Sequence, residues 1–207
     1  SADHGDFAGE HGCVEKHDVF FNEALVQLPL FVRAPGHPFM KGRYAGLTEF
    51  VDLVPSLLEL VGIPIPDWAQ GRSWVPAVRE QRAYRENVVC QGGAERELIE
   101  RTDGAAHQAI YERFRSYHHQ FDLKQKVIEG AAPFLQRAHT LRTSTRKYVH
   151  RVNGFHELYD LESDPSELKN LVEHRDYQDD LLDLRGALLT RLTEAETKLP
   201  FVRHAWA

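Results

Sequence analysis

Apolar residues are spaced along this chain in several distinct patterns. Leu47, Phe50, Val51, Val54, Leu57, Leu58 and Val61 recur at steps of three and four residues, which predicts a helix over 47–61 with one continuous apolar stripe. Gly62 stands where a helix ends, Pro55 predicts a kink or break inside it, and Pro64 and Pro66 stop it. Leu25–Val32 is an almost unbroken apolar run and predicts a strand buried on both faces, with Pro29 marking an edge or a strand start. Asn87–Cys90 predicts a short strand closed by Gly92 and Gly93. Ala106, Ile110, Phe114, Tyr117 and Phe121 form a narrower stripe among charges and predict a surface helix. Arg142–Val152 and Glu157–Leu161 read as a hairpin turning at Asn153-Gly154. Asp164, Pro165 and Glu167 look like a cap, a first helical position and a capping-box partner. Leu181, Leu184, Leu188 and Leu192, with Leu182 and Leu189, supply the apolar face of a last helix.

The order of elements is α/β first and a smaller α+β unit afterwards. It predicts a boundary near residue 85, with domains at 1–84 and 85–207. Charge and composition narrow the partners. A formal net charge of −6 gives no electrostatic reason to expect nucleic acid. No apolar run approaches the ~20 residues that cross a bilayer as a helix. Two cysteines, Cys13 and Cys90, are too few for a disulfide framework and are expected as thiols. The chain opens on Ser1 with neither Met nor a signal peptide, so it is expected to be a fragment or a processed piece, and its compartment is not legible.

Chemistry concentrates at the start. In Asp3-His4-Gly5 a carboxylate and an imidazole are adjacent, and Gly5 permits the sharp turn that would aim both at one cation. From the residues alone, an ordinary polar turn is the more usual reading. His11, Cys13 and His17 have a spacing that could enclose zinc but lack a regular fourth ligand, and His11 is expected to be a structural loop residue. His118 and His119 fall on the polar helix, where solvation is the ordinary outcome.

Four blocks carry a resemblance. Asp3-His4-Gly5 followed by Gly9-Glu10-His11-Gly12 resembles the sulfatase signature, and Lys16 stands where that family places a lysine. Glu23-Ala24 through Leu28-Pro29-Leu30 to Pro35-Gly36 is similar to a second block. Asp52 through Pro55, Leu57-Leu58 and Gly62-Ile63 resembles a third. Glu157-Leu158-Tyr159-Asp160-Leu161, then Asp164-Pro165, Glu167 and Asn170-Leu171, resembles a fourth near the family's C-terminus. Segment 94–135 has no such counterpart.

The resemblance, to the sulfatases of the alkaline phosphatase superfamily, implies the C-terminal part of a mixed, mostly parallel sheet sandwiched by helices. A smaller α+β subdomain with an antiparallel sheet and a C-terminal helix would follow. Residues 1–5 would be the end of a central strand with the loop beyond it, where open α/β sheets place their sites. The same resemblance makes Asp3 and His4 ligands of one divalent cation. Calcium is the usual family metal, while the imidazole of His4 favours manganese or zinc. Lys16 would be the catalytic, substrate-binding lysine that meets the sulfate oxygens. His17, His139 and Arg142 are further candidates for substrate contact, and Tyr159-Asp160 is expected to be structural. The implied nucleophile, a formylglycine made within C/S-x-P-x-R, is absent, since Val14-Glu15-Lys16-His17 follows Cys13 and Gln91-Gly92-Gly93-Ala94 follows Cys90. An N-terminal segment of the same protein would have to supply it, and this chain alone is expected to be inactive. The implied substrate is a small-molecule or saccharide sulfate ester. A phosphonate or phosphate ester hydrolase of the same superfamily, or a non-catalytic metal-binding module, are the alternatives.

Overall fold

A computed structural model describes residues 1–16, 20–36, 42–93 and 136–197. The surface helix expected around residues 106–121 and the side chain of His17 lie outside the described residues. The described elements run β1 (Phe7–Ala8), β2 (Val14–Glu15), α1 (Glu23–Val26), α2 (Leu53–Leu60), α3 (Val75–Glu80), β3 (Asn87–Gly92), β4 (Ala138–Thr143), β5 (Arg146–Arg151), β6 (Glu157–Asp160) and α4 (Gln178–Thr197). Short 3-10 turns precede α2 and α4. β1 and β2 form a two-stranded antiparallel ribbon, and β3-β4-β5-β6 is the strand order of a four-stranded sheet.

By internal contacts the chain divides into two compact units. The first comprises residues 1–31, 90–140 and 145–181, and the second residues 32–89, 141–144 and 182–207. In the first unit, β5 and β6 pair antiparallel with Lys147 opposite Tyr159 and Tyr148 opposite Leu158, so the expected hairpin is present. The part expected as one strand from Arg142 to Val152 is two strands, because Ser144 and Thr145 turn the chain between β4 and β5. Strands joined by two residues must run antiparallel. Apolar side chains gather in two clusters, Phe7 with Cys13 and Leu25, and Phe21 with Ala138 and Val149. Cys13 and Cys90 are thiols outside any disulfide among the described residues, as expected.

Several expectations fail. A mostly parallel sheet does not form among the described residues. Residues 1–6 carry no strand, and the run Leu25–Val32 is not one either: its start belongs to α1, and residues 27–34 join no ladder. Pro29 has no amide to give to a neighbouring strand. The helix expected to start at Asp164 is a turn. Glu167 there adopts a left-handed φ of 56°, which a helix does not allow, and Asp164 accepts the Lys169 amide at 2.8 Å. The last helix starts only at Gln178, with Leu181, Leu184 and Leu188 buried but Leu182 and Leu189 exposed.

In the second unit the helix is shorter than the stripe over 47–61. The helix is Leu53–Leu60, and Pro55 lies in its first turn, where its missing amide would have had no helical partner anyway, so no kink arises. Its inward face is Asp52, Ser56 and Leu60, four residues apart, whereas Val54, Leu57 and Val61 are more than half exposed. Leu60 packs with Trp74 and Val75. The start of α3 brings the Trp74 amide to the Ser56 hydroxyl at 3.0 Å, and that hydroxyl donates to the Asp52 carbonyl at 2.6 Å.

Asp52 is fully buried and bound by both arms of Arg85, with Nε at 2.8 Å, and by the amides of Arg72 and Glu49. Arg85 also faces Glu49 at 3.1 Å, and Arg191 grips both Glu49 oxygens at 2.8 Å. Burial raises the Asp52 pKa, but the Arg85 bonds and the two amides outweigh it and hold the carboxyl below the usual range. A depressed folded value means that this carboxylate stabilises the fold above its unfolded pKa and that the contribution is lost as pH falls through the folded one. Asp52→Ala is expected to destabilise the second unit by about 3–5 kcal/mol, since it leaves a buried guanidinium without its main partner. Denaturant unfolding at neutral pH checks the size. Repeated below pH 4, the gap between variant and wild type should shrink.

Candidate active site

Asp3, His4, Lys16 and His139 lie in the first unit and Arg142 in the second. Gly5 fixes the start of the chain. Its amide donates to the Leu25 carbonyl of α1 at 2.9 Å, and a Cβ at this position would stand 1.9 Å from the Ala24 oxygen. Only glycine allows the chain to lie this close to α1. Asp3 and His4 are therefore held immediately before a backbone clamp. The ribbon then returns the chain. Gly9, His11 and Gly12 take positive φ values of 123°, 54° and 69°, which reverses direction between β1 and β2, while Glu10 accepts the Ala8 amide at 2.6 Å. Lys16, one residue past β2, comes back beside His4.

The resulting geometry joins three of the expected residues. The Lys16 Nζ lies 3.0 Å from His4 Nε2, and the Asp3 carboxylate lies 3.7 Å from the same nitrogen. His4 Nδ1 is 2.8 Å from the Gly5 carbonyl, which can only accept, so Nδ1 carries the proton. Nε2 then presents its lone pair to the Lys16 ammonium. This tautomer follows from the hydrogen bonds. Asp3 is exposed, and its carboxyl is held below the usual range by its own amide and that of His4, then by the charges of His4 and Lys16. It accepts the His4 amide at 3.1 Å. An ionised carboxylate and an imidazole lone pair beside it are the donor chemistry of a divalent cation.

These donors fit half of such a site. No cluster of three His, Cys, Asp or Glu able to hold a metal ion occurs among the described residues. His11 does not add a ligand, because its Nε2 lies 3.1 Å from the Asn22 amide nitrogen and its ring meets Phe7 edge-on at 6.0 Å.

His139 stands elsewhere in the same unit, on β4. It shares no hydrogen bond or ion pair with Asp3, His4 or Lys16. Its Nδ1 is buried without a hydrogen-bond partner, and burial, then the charges of Arg137 and His150, lowers its pKa. Tyr159 and Asp160 serve the small sheet: the phenol donates to Glu157 at 2.8 Å, and Asp160 meets Arg146 at 2.7 Å.

Three residues beneath the site escape a reading of the sequence. Lys147, 1% exposed, reaches Glu23 and Glu167 at 2.6 Å each and donates to the Phe21 carbonyl at 2.7 Å. Glu167 also accepts the amide of Glu23, the first residue of α1, at 2.7 Å. Glu23 sits in a quoted block, but nothing in one sequence pairs it with residues more than a hundred positions away.

Comparison with known proteins follows the same lines. Residues 9–92, which include Lys16 but not Asp3 or His4, match the family described as N-sulphoglucosamine sulphohydrolase, C-terminal. The chain is 25% identical over 197 residues to an ulvan-active sulfatase of Formosa agariphila, covering 90% of this chain and 32% of that protein. It is also 25% identical over 198 residues to a Δ4,5-hexuronate-2-O-sulfatase of Bacteroides thetaiotaomicron, covering 94% and 34%. Among solved structures, the phosphonate monoester hydrolase of Agrobacterium radiobacter superposes with a TM-score of 0.68 at 25% identity, over 93% of this chain and 34% of that one. The chain thus spans about a third of the length of these relatives. The family match and these relatives support a likeness to the C-terminal portion of sulfatases of the alkaline phosphatase superfamily.

Proposed function

We propose that this chain supplies part of the active site of a sulfuric ester hydrolase whose substrate is a sulfate ester, in the first instance a sulfated saccharide. The observation that carries the reading is the convergence of Lys16 on the Asp3-His4 pair across twelve residues, with Nζ 3.0 Å from His4 Nε2. The two curated sulfatases matched over nine-tenths of the chain support the reaction class, and the hexuronate 2-O-sulfatase supports a saccharide ester.

In this reading Asp3 and His4 hold one divalent cation, calcium or, because of the imidazole, manganese or zinc. Bound there, the ion would act as a Lewis acid toward the ester oxygens. Lys16 provides a mobile positive charge for the sulfate and for charge developing on the departing oxygen. Gly5 and α1 orient the ligand pair. The nucleophile, a formylglycine, belongs to a segment of the same protein outside this chain. A phosphonate or phosphate monoester hydrolase is the second reading, favoured by the superposition on the Agrobacterium enzyme.

The deciding experiment is mass spectrometry of the native polypeptide, with the peptide around any C/S-x-P-x-R inspected for formylglycine, followed by assays with a 2-O-sulfated uronate, an aryl sulfate and a phosphonate monoester. Turnover of the sulfates supports the first reading, turnover of the phosphonate alone supports the second, and a native chain without an upstream nucleophile leaves only a metal-binding module. In an active full-length protein, Lys16→Met is expected to lower kcat by about 10²–10³-fold, the usual loss when one charge-stabilising donor is removed.

The metal assignment has its own check in titrations with Mn²⁺. Asp3→Asn is expected to weaken binding at least about tenfold, because the ion loses its anionic ligand. Lys16→Met is expected to preserve or tighten it, since no ammonium then competes for Nε2 or repels the ion. Equal affinities in wild type and Asp3→Asn would refute the assignment.

A further inference from the structure

A buried charge cluster lies beneath the proposed site and has no part in its chemistry. Lys147 on β5 is almost wholly buried, as is Glu167, and Glu23 is 17% exposed at its side chain. The ammonium meets both carboxylates at 2.6 Å and the Phe21 carbonyl at 2.7 Å. The second Glu167 oxygen accepts the Glu23 amide at 2.7 Å. Three contacts thus converge on residues 21–23, where α1 begins.

α1 has only four residues and cannot hold itself together in isolation. Its C-terminal half is the surface on which Gly5 rests: the Leu25 carbonyl takes the Gly5 amide at 2.9 Å, and the Ala24 oxygen occupies the space of a Cβ. The Gly5 carbonyl in turn takes the Nδ1–H of His4 and leaves Nε2 facing Lys16 and Asp3. A continuous series of bonds therefore runs from Lys147 through Glu23 and α1 to Gly5 and the His4 ring.

We propose that Lys147, Glu23 and Glu167 are positioning residues that set the height and ring orientation of the Asp3-His4 pair through α1 and Gly5. The relevance of this to catalysis rests on the proposed metal site, but the positioning itself does not. Ordinary structural ion pairs also stiffen a fold, so the prediction concerns where the effect appears. Weakening the cluster should loosen residues 3–5 more than the β5–β6 ladder, although Lys147 itself lies on β5.

The test uses this chain as it stands. Glu23→Gln keeps the shape of the side chain and removes its charge, and Lys147→Met paired with Glu167→Gln removes opposite charges together, so that one of the two is expected to fold. Amide hydrogen exchange is read at Gly5 and along β5 and β6, with the NMR signals of the His4 ring. In a folded variant the Gly5 amide should exchange about tenfold faster than in wild type, and the His4 ring signals should shift. The Lys147–Tyr159 and Val149–Glu157 pairings should retain their protection. Unchanged Gly5 exchange and His4 signals in a folded variant would overturn the proposal, as would equal acceleration everywhere, which marks a purely global role. If neither variant folds, Gly5→Ala serves instead: separating Gly5 from α1 must change the His4 signals, and if it does not, the proposal also fails. Mn²⁺ titration of the same samples keeps the two ideas apart. A loosened Gly5 together with binding indifferent to Asp3→Asn sinks the metal reading and leaves the positioning intact.

Discussion

The Lys147 ammonium sits almost out of water, and much of the first unit is arranged around that fact. Removing an ammonium from water costs several kcal/mol even after the protein relaxes, so the position is tenable only with close partners of opposite charge. Two carboxylates provide them, joined by a carbonyl, from residues 23, 167 and 21. The partners come from segments that neither pair in a sheet nor continue one another in sequence. Each has to be brought to β5, and the cluster therefore fixes the path of the chain on either side. Glu167 accepts a left-handed backbone, at a cost of roughly 1–2 kcal/mol for a residue with a Cβ, where its carboxylate can answer both Lys147 and the Glu23 amide. Arg151 reinforces the arrangement: it is buried like Lys147, pairs with Glu157 at 2.6 Å and lies over the Phe21 ring at 5.8 Å.

The same constraint reaches the candidate site through close approach rather than through charge. Once residues 21–23 are held, α1 projects the Ala24 and Leu25 carbonyls toward the start of the chain. Gly5 fits against them and no other residue would without displacement. The ribbon of β1 and β2 then supplies the other side. Its tight reversal through Gly9 and Gly12 is what returns Lys16 to His4 after eleven intervening residues. His4 Nε2 has a single lone pair, and here an ammonium takes it. The imidazole is thereby kept in the Nδ1–H tautomer, which leaves Nε2 as the only donor atom that a cation could use.

Much of the site was legible in the residues, and much of its support was not. Asp3, His4 and Lys16 come together as candidates within sixteen positions, the first two through residue type beside Gly5 and Lys16 through the family resemblance. The Asn153-Gly154 hairpin was legible locally, as was the last helix with its leucines. His17 and the stretch around residues 106–121 fall outside the described residues. Leu25–Val32 read as a strand because hydrophobicity alone cannot report whether a neighbour exists to pair with, and Pro29 removes one of the amides required. The Asp164-Pro165-Ser166-Glu167 sequence has every local sign of a helix start. It forms a turn because the Glu167 carboxylate is bound to Lys147 and Glu23, contacts that no window of neighbouring residues contains. Local propensity loses to a buried ion there.

The orientation of α2 makes the same point in the second unit, and independently. Its apolar stripe is real, yet Phe50, Val51, Val54, Leu57 and Val61 are each about half exposed or more, while Asp52 and Ser56 are fully buried. Those apolar side chains are exposed within this chain, which spans about a third of the length of its relatives. Turning Asp52 outward would strand Arg85, Glu49 and Arg191, whose guanidinium and carboxylate groups satisfy one another only around it. A buried, unpaired guanidinium costs more than any single aliphatic contact returns. Binary patterning assumes that apolar area decides the inward face, and that holds where the polar residues are solvated. Here the polar residues on the other face form a closed hydrogen-bonded network, and it is the network that faces in. In each unit, then, the residues least expected in a core by their type determine which parts of the sequence are inside, and in the first unit they also determine where the candidate ligands stand.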